Sequence, residues 1–164
     1  MKLPESFPSH FPKSKKEESE FGKGKKDILI CKNCNAVYFY KSWHRRLEDY
    51  PELKETKDLK FVLCPACRMT KDKKFEGEII LENAPERIKA ELKNLVLNFG
   101  EKAFKRDSQH RVISFKEQGK NIRILTTENQ LAQRIAKKIK ETFKGKLSIS
   151  HSKKESTVRA RVVF

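Results

Sequence analysis

The sequence predicts an α+β protein in two parts, a small cysteine-bearing unit followed by a sheet with helices packed on one face. Three observations predict it. All four cysteines lie between Cys31 and Cys67, two amphipathic helical stretches follow them, and short strand-like runs surround both. The 164 residues suffice for one ordinary domain or two small ones. Charged residues and the hydrophobic set each make up 37%, so the core is modest and part of the chain is expected to stay unpacked.

Residues 1–26 carry Pro4, Pro8 and Pro12 among Lys, Glu, Ser and Gly. Such a composition buries too little to offset its own ordering entropy, so a disordered basic tail is expected. Residues 27–74 form the cysteine unit, in which "DILIC", "AVYFY" and "KFVLC" read as strands. The charged segment between them, from "KSWHRR" onward, reads as a short helix ended near Pro51. Residues 75–164 form the second part. "FEGEIIL" is strand-like, and the next stretch has Asn83 as its expected N-cap and Pro85 in its first turn. Its Ile88, Leu92, Leu95, Val96 and Phe99 share one helical face. "RVISF" and "NIRILT" are strands joined by a turn at Gly119. A second helix follows, with Thr127 and Gln130 as a capping box, a Leu131/Ile135/Ile139 stripe, and Gly145 as the C-terminal cap. "KLSIS" and "TVRARVVF" close the chain as strands. The order β-α-β-β-α-β-β is that of a split β-α-β, ferredoxin-like sheet with an extra edge strand.

Cys31-x-x-Cys34 and Cys64-x-x-Cys67 are two knuckles that aim four thiolates at one point, the tetrahedral set of a structural Zn2+ site. With four sulfurs on the ion no position remains for water, so the site is expected to be structural. The reading is therefore a four-cysteine zinc ribbon over residues 27–74. The 29 residues between Cys34 and Cys64 exceed the usual ribbon interval of about 15–20, which requires the charged insert to loop out. A redox pair is the alternative; it normally opens a helix, whereas a strand-like run follows Cys34. His44 is expected on the surface, because the ligand set is already full. Tyr38, Tyr40 and Trp43 read first as packing that covers the metal and second as platforms for unpaired bases.

The net charge is +16 and the pI about 9.8, which favours a polyanionic partner. Residues 131–164 alone hold ten Lys/Arg against Glu141 and Glu155. Period-two alternation sends Arg123, Arg159 and Arg161 to the sheet face away from Ile122, Ile124, Val158, Ala160 and Val162. Arg134, Lys137 and Lys138 flank the helical stripe, and Arg45 and Arg46 follow the first knuckle. These eight cations are the expected nucleic-acid contacts, since a face of one sign is unlike a merely soluble surface. The N-terminal tail, with Phe7 and Phe11, is an alternative arm for RNA. No RNP-type aromatic motif or GXXG clamp is present, which sets aside standard RRM and KH domains.

No stretch approaches the about 20 apolar residues of a membrane span, and the N-terminus has no apolar h-region, so a cytoplasmic location and no membrane partner are expected. No nucleophile-base pair, phosphate loop, open metal site or small-molecule motif is evident. Glu76, Glu78 and Glu82 read as surface charges. The expectation is a non-enzymatic RNA-binding protein, with a DNA-binding or regulatory zinc-ribbon module as the alternative.

"CKNCNAVYFYKSWH", "CPAC" and "ILTTENQLAQRIAKKI" together resemble the Nmd-type adaptor family of archaea and eukaryotes, which acts on the large ribosomal subunit. They also resemble short bacterial zinc-ribbon proteins of the same layout. The similarity runs from Ile28 to Val163, with Thr126, Thr127, Leu131, Ala132 and Arg134 its most distinctive residues. It implies zinc on Cys31, Cys34, Cys64 and Cys67 and contact with ribosomal RNA in assembly, quality control or dormancy. The adaptors carry more CxxC pairs and additional domains, so one metal at most is implied and subunit export does not carry over.

Overall fold

The computed structural model describes residues 28–39, 41–51, 59–152 and 156–164. The expected tail at 1–26 lies outside them. The first lobe is a four-stranded sheet of β1 (Ile28–Cys31), β2 (Val37–Phe39), β3 (Ser42–His44) and β4 (Leu59–Val62) in the order β3-β2-β1-β4. The segment expected as a helix after Lys41 instead begins as β3, paired with β2 through Tyr38 opposite Trp43, and ends in a single 3-10 turn at Leu47–Asp49. Trp43 and His44 are aromatic neighbours of Tyr38 and Phe39, and such cross-strand pairs favour the ladder over a helix. A helix absent from the expectations, α1 (Pro65–Asp72), opens at the second knuckle. Cys64 caps it, with its Sγ accepting from the Cys67 N–H, and Pro65 supplies a first-turn residue that needs no hydrogen bond.

The second lobe contains β5 (Gly77–Glu82), α2 (Glu86–Arg106), β6 (Val112–Gln118), β7 (Asn121–Thr126), α3 (Asn129–Phe143), β8 (Lys146–His151) and β9 (Val158–Val163). Its strand order is β6-β7-β5-β9-β8. β5, α2 and β6, with antiparallel β7 between the two strands, make the expected split β-α-β arrangement. The extra strand lies elsewhere than expected. β9 is interior and parallel to β5, while β8 forms the edge. Burial explains the exchange: Val158, Ala160 and Val162 are fully covered, whereas β8 offers only half-buried Leu147 and Ile149. The more completely apolar strand takes the central place.

Both helices cover one face. Leu92 and Val96 of α2 and Leu131, Ile135 and Ile139 of α3 pack without exposure on Ile79, Leu81, Ile122 and Ile124, as the helical periodicity predicts. The caps differ from expectation. Pro85 precedes α2, and Asn83 adopts φ 56° in the turn before it. Glu128 caps α3, its carboxylate accepting from the N–H groups of Gln130 and Leu131. Lys144, at φ 62°, is the left-handed C-cap that Gly145 was expected to provide.

At Gly77 the start of α3 lies directly against the sheet. A Cβ there would collide with Thr126 Oγ1 and lie 2.5 Å from the Ala132 Cβ. Gly77→Ala is therefore expected to cost about 1–3 kcal/mol. A thermal melt should show a fall of about 4–8 °C per kcal/mol. An unchanged melting temperature would mean that α3 has room to move away.

Candidate metal centre and basic surfaces

The parallel pairing of β1 with β4 brings the two knuckles together. Cys31 stands level with Val62, and the Lys32 N–H donates to the Val62 carbonyl at 2.9 Å, so both strands deliver their cysteines to the same end of the sheet. The long interval between the pairs is taken up by β2, β3 and the segment leading into β4. In the first knuckle Asn35 turns the chain at φ 60°, and its N–H donates to the Cys31 carbonyl at 2.9 Å.

One ligand atom from each of Cys31, Cys34, Cys64 and Cys67 lies within 4.8 Å of the others, the one such ligand group among the described residues. Cys34 Sγ and Cys64 Sγ are 3.7 Å apart, too far for a disulfide. Sulfurs about 2.3 Å from a tetrahedral ion would be separated by about 3.8 Å. The residues therefore fit a thiolate-bound metal ion, and they fill its coordination. Cys31 and Cys64 are fully buried, which keeps water from their sulfurs, while Cys34 is half-buried.

Backbone and side-chain donors already point at the sulfurs. The Cys64 N–H reaches Cys31 Sγ at 3.3 Å, the Cys67 N–H reaches Cys64 Sγ at 3.4 Å, and Asn33 Nδ2 reaches Cys67 Sγ at 3.2 Å. Burial pushes the Cys31 thiol up, but the N–H groups of Cys64, Asn33 and Cys34 outweigh it and hold the group at about 6. Burial pushes the Cys64 and Cys67 thiols up. Metal binding must then displace protons from those two. α1 does give the second pair the helix-opening position typical of redox CxxC sites, but its thiols are raised by burial, where a redox nucleophile is lowered.

His44 stays outside the cluster. It is half-buried, stacked on Phe39 at 3.9 Å, with Nε2 2.9 Å from Ser42 Oγ and Nδ1 3.3 Å from Tyr50 Oη. Trp43 packs against the cysteine cluster, as the packing reading expects, and Tyr38 tilts against it at 5.4 Å. Tyr40 lies outside the described residues. Trp43 also lines an open cleft of about 410 Å3 with Leu29 and Val62 from the strands and Arg68 and Met69 of α1. Leu63, Pro65, Asp72 and Lys74 also line it, and both Lys74 and Arg68 are exposed. The sequence reading missed these two cations because α1 itself was missed.

The expected nucleic-acid contacts divide among three places. Arg123, Arg159 and Arg161 share the sheet face opposite the helices. Pairing registers set out a row across all five strands, Lys116–Arg123–Ile80–Arg161–Ser148, in which Lys116 is a cation the sequence reading did not select. Arg134, Lys137 and Lys138 are exposed on α3, on the other side of the lobe. In the first lobe, Arg46 is 3.7 Å from Glu48, while Arg45 is half-buried with its Nε enclosed.

Glu78, expected on the surface, is buried in the middle of the arginine face. Its two oxygens accept from Arg123 Nε at 2.6 Å and Arg159 Nε at 2.9 Å. Glu82 meets Arg161 Nε at 3.2 Å. Lys116, Lys146 and the three arginines still outnumber these two carboxylates, and the arginine side chains remain 42–58% exposed. The Arg123 guanidinium lies 5.5 Å from the centre of the Phe75 ring, and Phe75 follows Lys74 of the cleft. The cleft and the arginine row are thus joined by two consecutive residues.

These features define an α+β protein with a tetracysteine, zinc-ribbon-like site ahead of a five-stranded sheet lobe. No protein-family model matches the chain, and neither a curated protein nor a solved structure matches it. Among the described residues no helix is long and apolar enough to cross a membrane.

Proposed function

We propose that this chain is a non-enzymatic, zinc-stabilised RNA-binding protein that acts on the ribosome. The observation that carries the reading is the cationic row Lys116–Arg123–Arg161 on the uncovered sheet face. Planar guanidinium groups held by carboxylates through Nε suit phosphates and base faces. The cleft beside Trp43 takes an unstacked base, and Arg68, Lys74 and Arg123 meet the phosphates that flank it. The ion is zinc, because four thiolates in a closed tetrahedral set favour it, and its role is to hold the ribbon together. The ribosome as the place of action, with ribosomal RNA as the partner, rests on the resemblance of the cysteine knuckles and the Thr126–Arg134 stretch to large-subunit adaptors, a reading of the sequence motifs alone.

Trp43 is the chain's only tryptophan, so its fluorescence reports directly on the cleft. Titration with single-stranded RNA is expected to quench it, and Trp43→Ala is expected to weaken binding by about 1–3 kcal/mol. Duplex DNA that displaces the RNA at equal salt would favour a DNA-binding module instead. Quenching by neither would remove the cleft from the reading.

A further inference from the structure

Three of the four sulfurs receive an N–H donor from the first lobe; the Cys34 sulfur, 3.7 Å from that of Cys64, has no such donor there among the described residues, and it is the second lobe that packs beside it. Arg111, just ahead of β6, turns its guanidinium toward the cysteine cluster. Its Nε donates to the Ser108 carbonyl at 3.0 Å, its guanidinium carbon lies 4.6 Å from the centre of the Phe104 ring, and its Nη2 is enclosed with no hydrogen-bond partner. Burial disfavours this charge, yet the hydrogen bond to Cys34 and the fields of Cys34, Cys67 and Cys64 raise the Arg111 pKa above its ordinary value. Beside it, the Ala66 N–H inside the second knuckle donates to Gln109 Oε1 at 3.1 Å. The turn carrying both residues is held by Thr127. Its Oγ1 accepts from the Arg111 N–H at 2.9 Å and donates to the Gln109 carbonyl at 2.7 Å, and its own N–H donates to the Arg111 carbonyl at 3.0 Å.

An ion with four thiolates carries a formal charge of −2, and burying it requires donors or a cation nearby. A half-buried guanidinium with one enclosed, unpartnered nitrogen is in turn favoured by an anion nearby. We propose that Arg111 is the positioning residue of the metal centre, supplying the cation and the donor for Cys34 from the neighbouring lobe, so that metal loading and docking of the Ser108–Arg111 turn are one coupled event. Thr127, beside the cap of α3, then serves as the clamp that aims Arg111. Coupling is reciprocal: the metal steadies the turn by as much as the turn strengthens the metal.

The inference rests on the metal site and not on RNA binding, so its test uses no RNA. Co2+ titrated into the reduced full-length chain reports tetrathiolate binding by its sulfur-to-metal absorption, and a competing chelator makes the affinity measurable. Arg111→Gln is expected to weaken Co2+ about 10–100-fold. Arg111→Lys, which restores charge but not the planar fork, should recover part of that loss. In the unaltered protein, removing the metal should speed amide hydrogen exchange at Arg111 and Thr127 while Val96, in the middle of α2, is unaffected. Unchanged affinity in a folded Arg111→Gln protein would overturn the proposal. If that variant does not fold, the exchange measurement decides, and equal protection at Arg111 and Thr127 with and without metal would overturn it. A wild-type chain that binds no Co2+ would overturn this proposal and the zinc assignment together, leaving the RNA surface to be judged separately.

Discussion

Chelation of the metal, or Cys64→Ser, is expected to unfold the first lobe and leave the second standing. The reason is how little else the first lobe buries. Apart from the cysteines and two alanines, its core consists of Ile28, Ile30 and Val37 with partly covered neighbours. Each such side chain contributes about 1.5–3 kcal/mol, while each ordered residue costs about 1–2 kcal/mol of backbone entropy. A structural tetrahedral site contributes an apparent 10–16 kcal/mol, several times what any one of these side chains supplies. The sheet lobe has its own continuous core and does not share that dependence. Trp43 emission should shift to the red on chelation, while far-ultraviolet circular dichroism keeps the signal of α2 and α3. A single melt unmoved by chelator, with Trp43 emission unchanged, would show that the sulfurs hold no stabilising ion.

The second large effect is expected from Lys116→Glu with Arg161→Glu. Both residues lie in the row across the open face, neither touches buried Glu78, and the one carboxylate beside Arg161 is that of Glu82, which is partly exposed and loses one ion pair. Arg159 is a poorer probe: Arg159→Glu would set a second carboxylate beside Glu78 and disturb the fold as well as the surface. If both positions contact phosphate, the slope of log K against log salt should fall by about 1.4 for single-stranded RNA. Affinity at low salt should fall at least tenfold. Arg134→Glu with Lys138→Glu, on the far side of the lobe, makes the same change in charge, and binding through the sheet face predicts a much smaller loss from it. Equal losses from the two pairs would mean that total charge, and not the sheet face, governs binding.

Local patterns made much of this architecture legible. The stripes of α2 and α3 and the alternation of β7 and β9 each report a buried face, and the two CxxC knuckles report their own convergence. What escaped were features fixed by partners distant in sequence. Residues 65–72 have too few apolar positions to show a helical period, although Pro65 after a potential cap was a usable sign. β3 is a strand because β2 lies beside it. Alternation told which way Arg123 and Arg159 face, but not that Glu78 would lie between them, because alternation along one strand says nothing of lateral neighbours. Arg111 carried no local signal; the topology alone brings it to the cysteines.

The interior position of β9 has a consequence for how the chain reaches its native state. β5 must wait for a neighbour 81 residues further on before its second ladder can close. Until then Ile79 and Leu81 sit on an unfinished margin, open to pairing with other chains. Fragments cut before Val158 should therefore precipitate instead of folding, and the lobe is expected to assemble late, in one concerted closure.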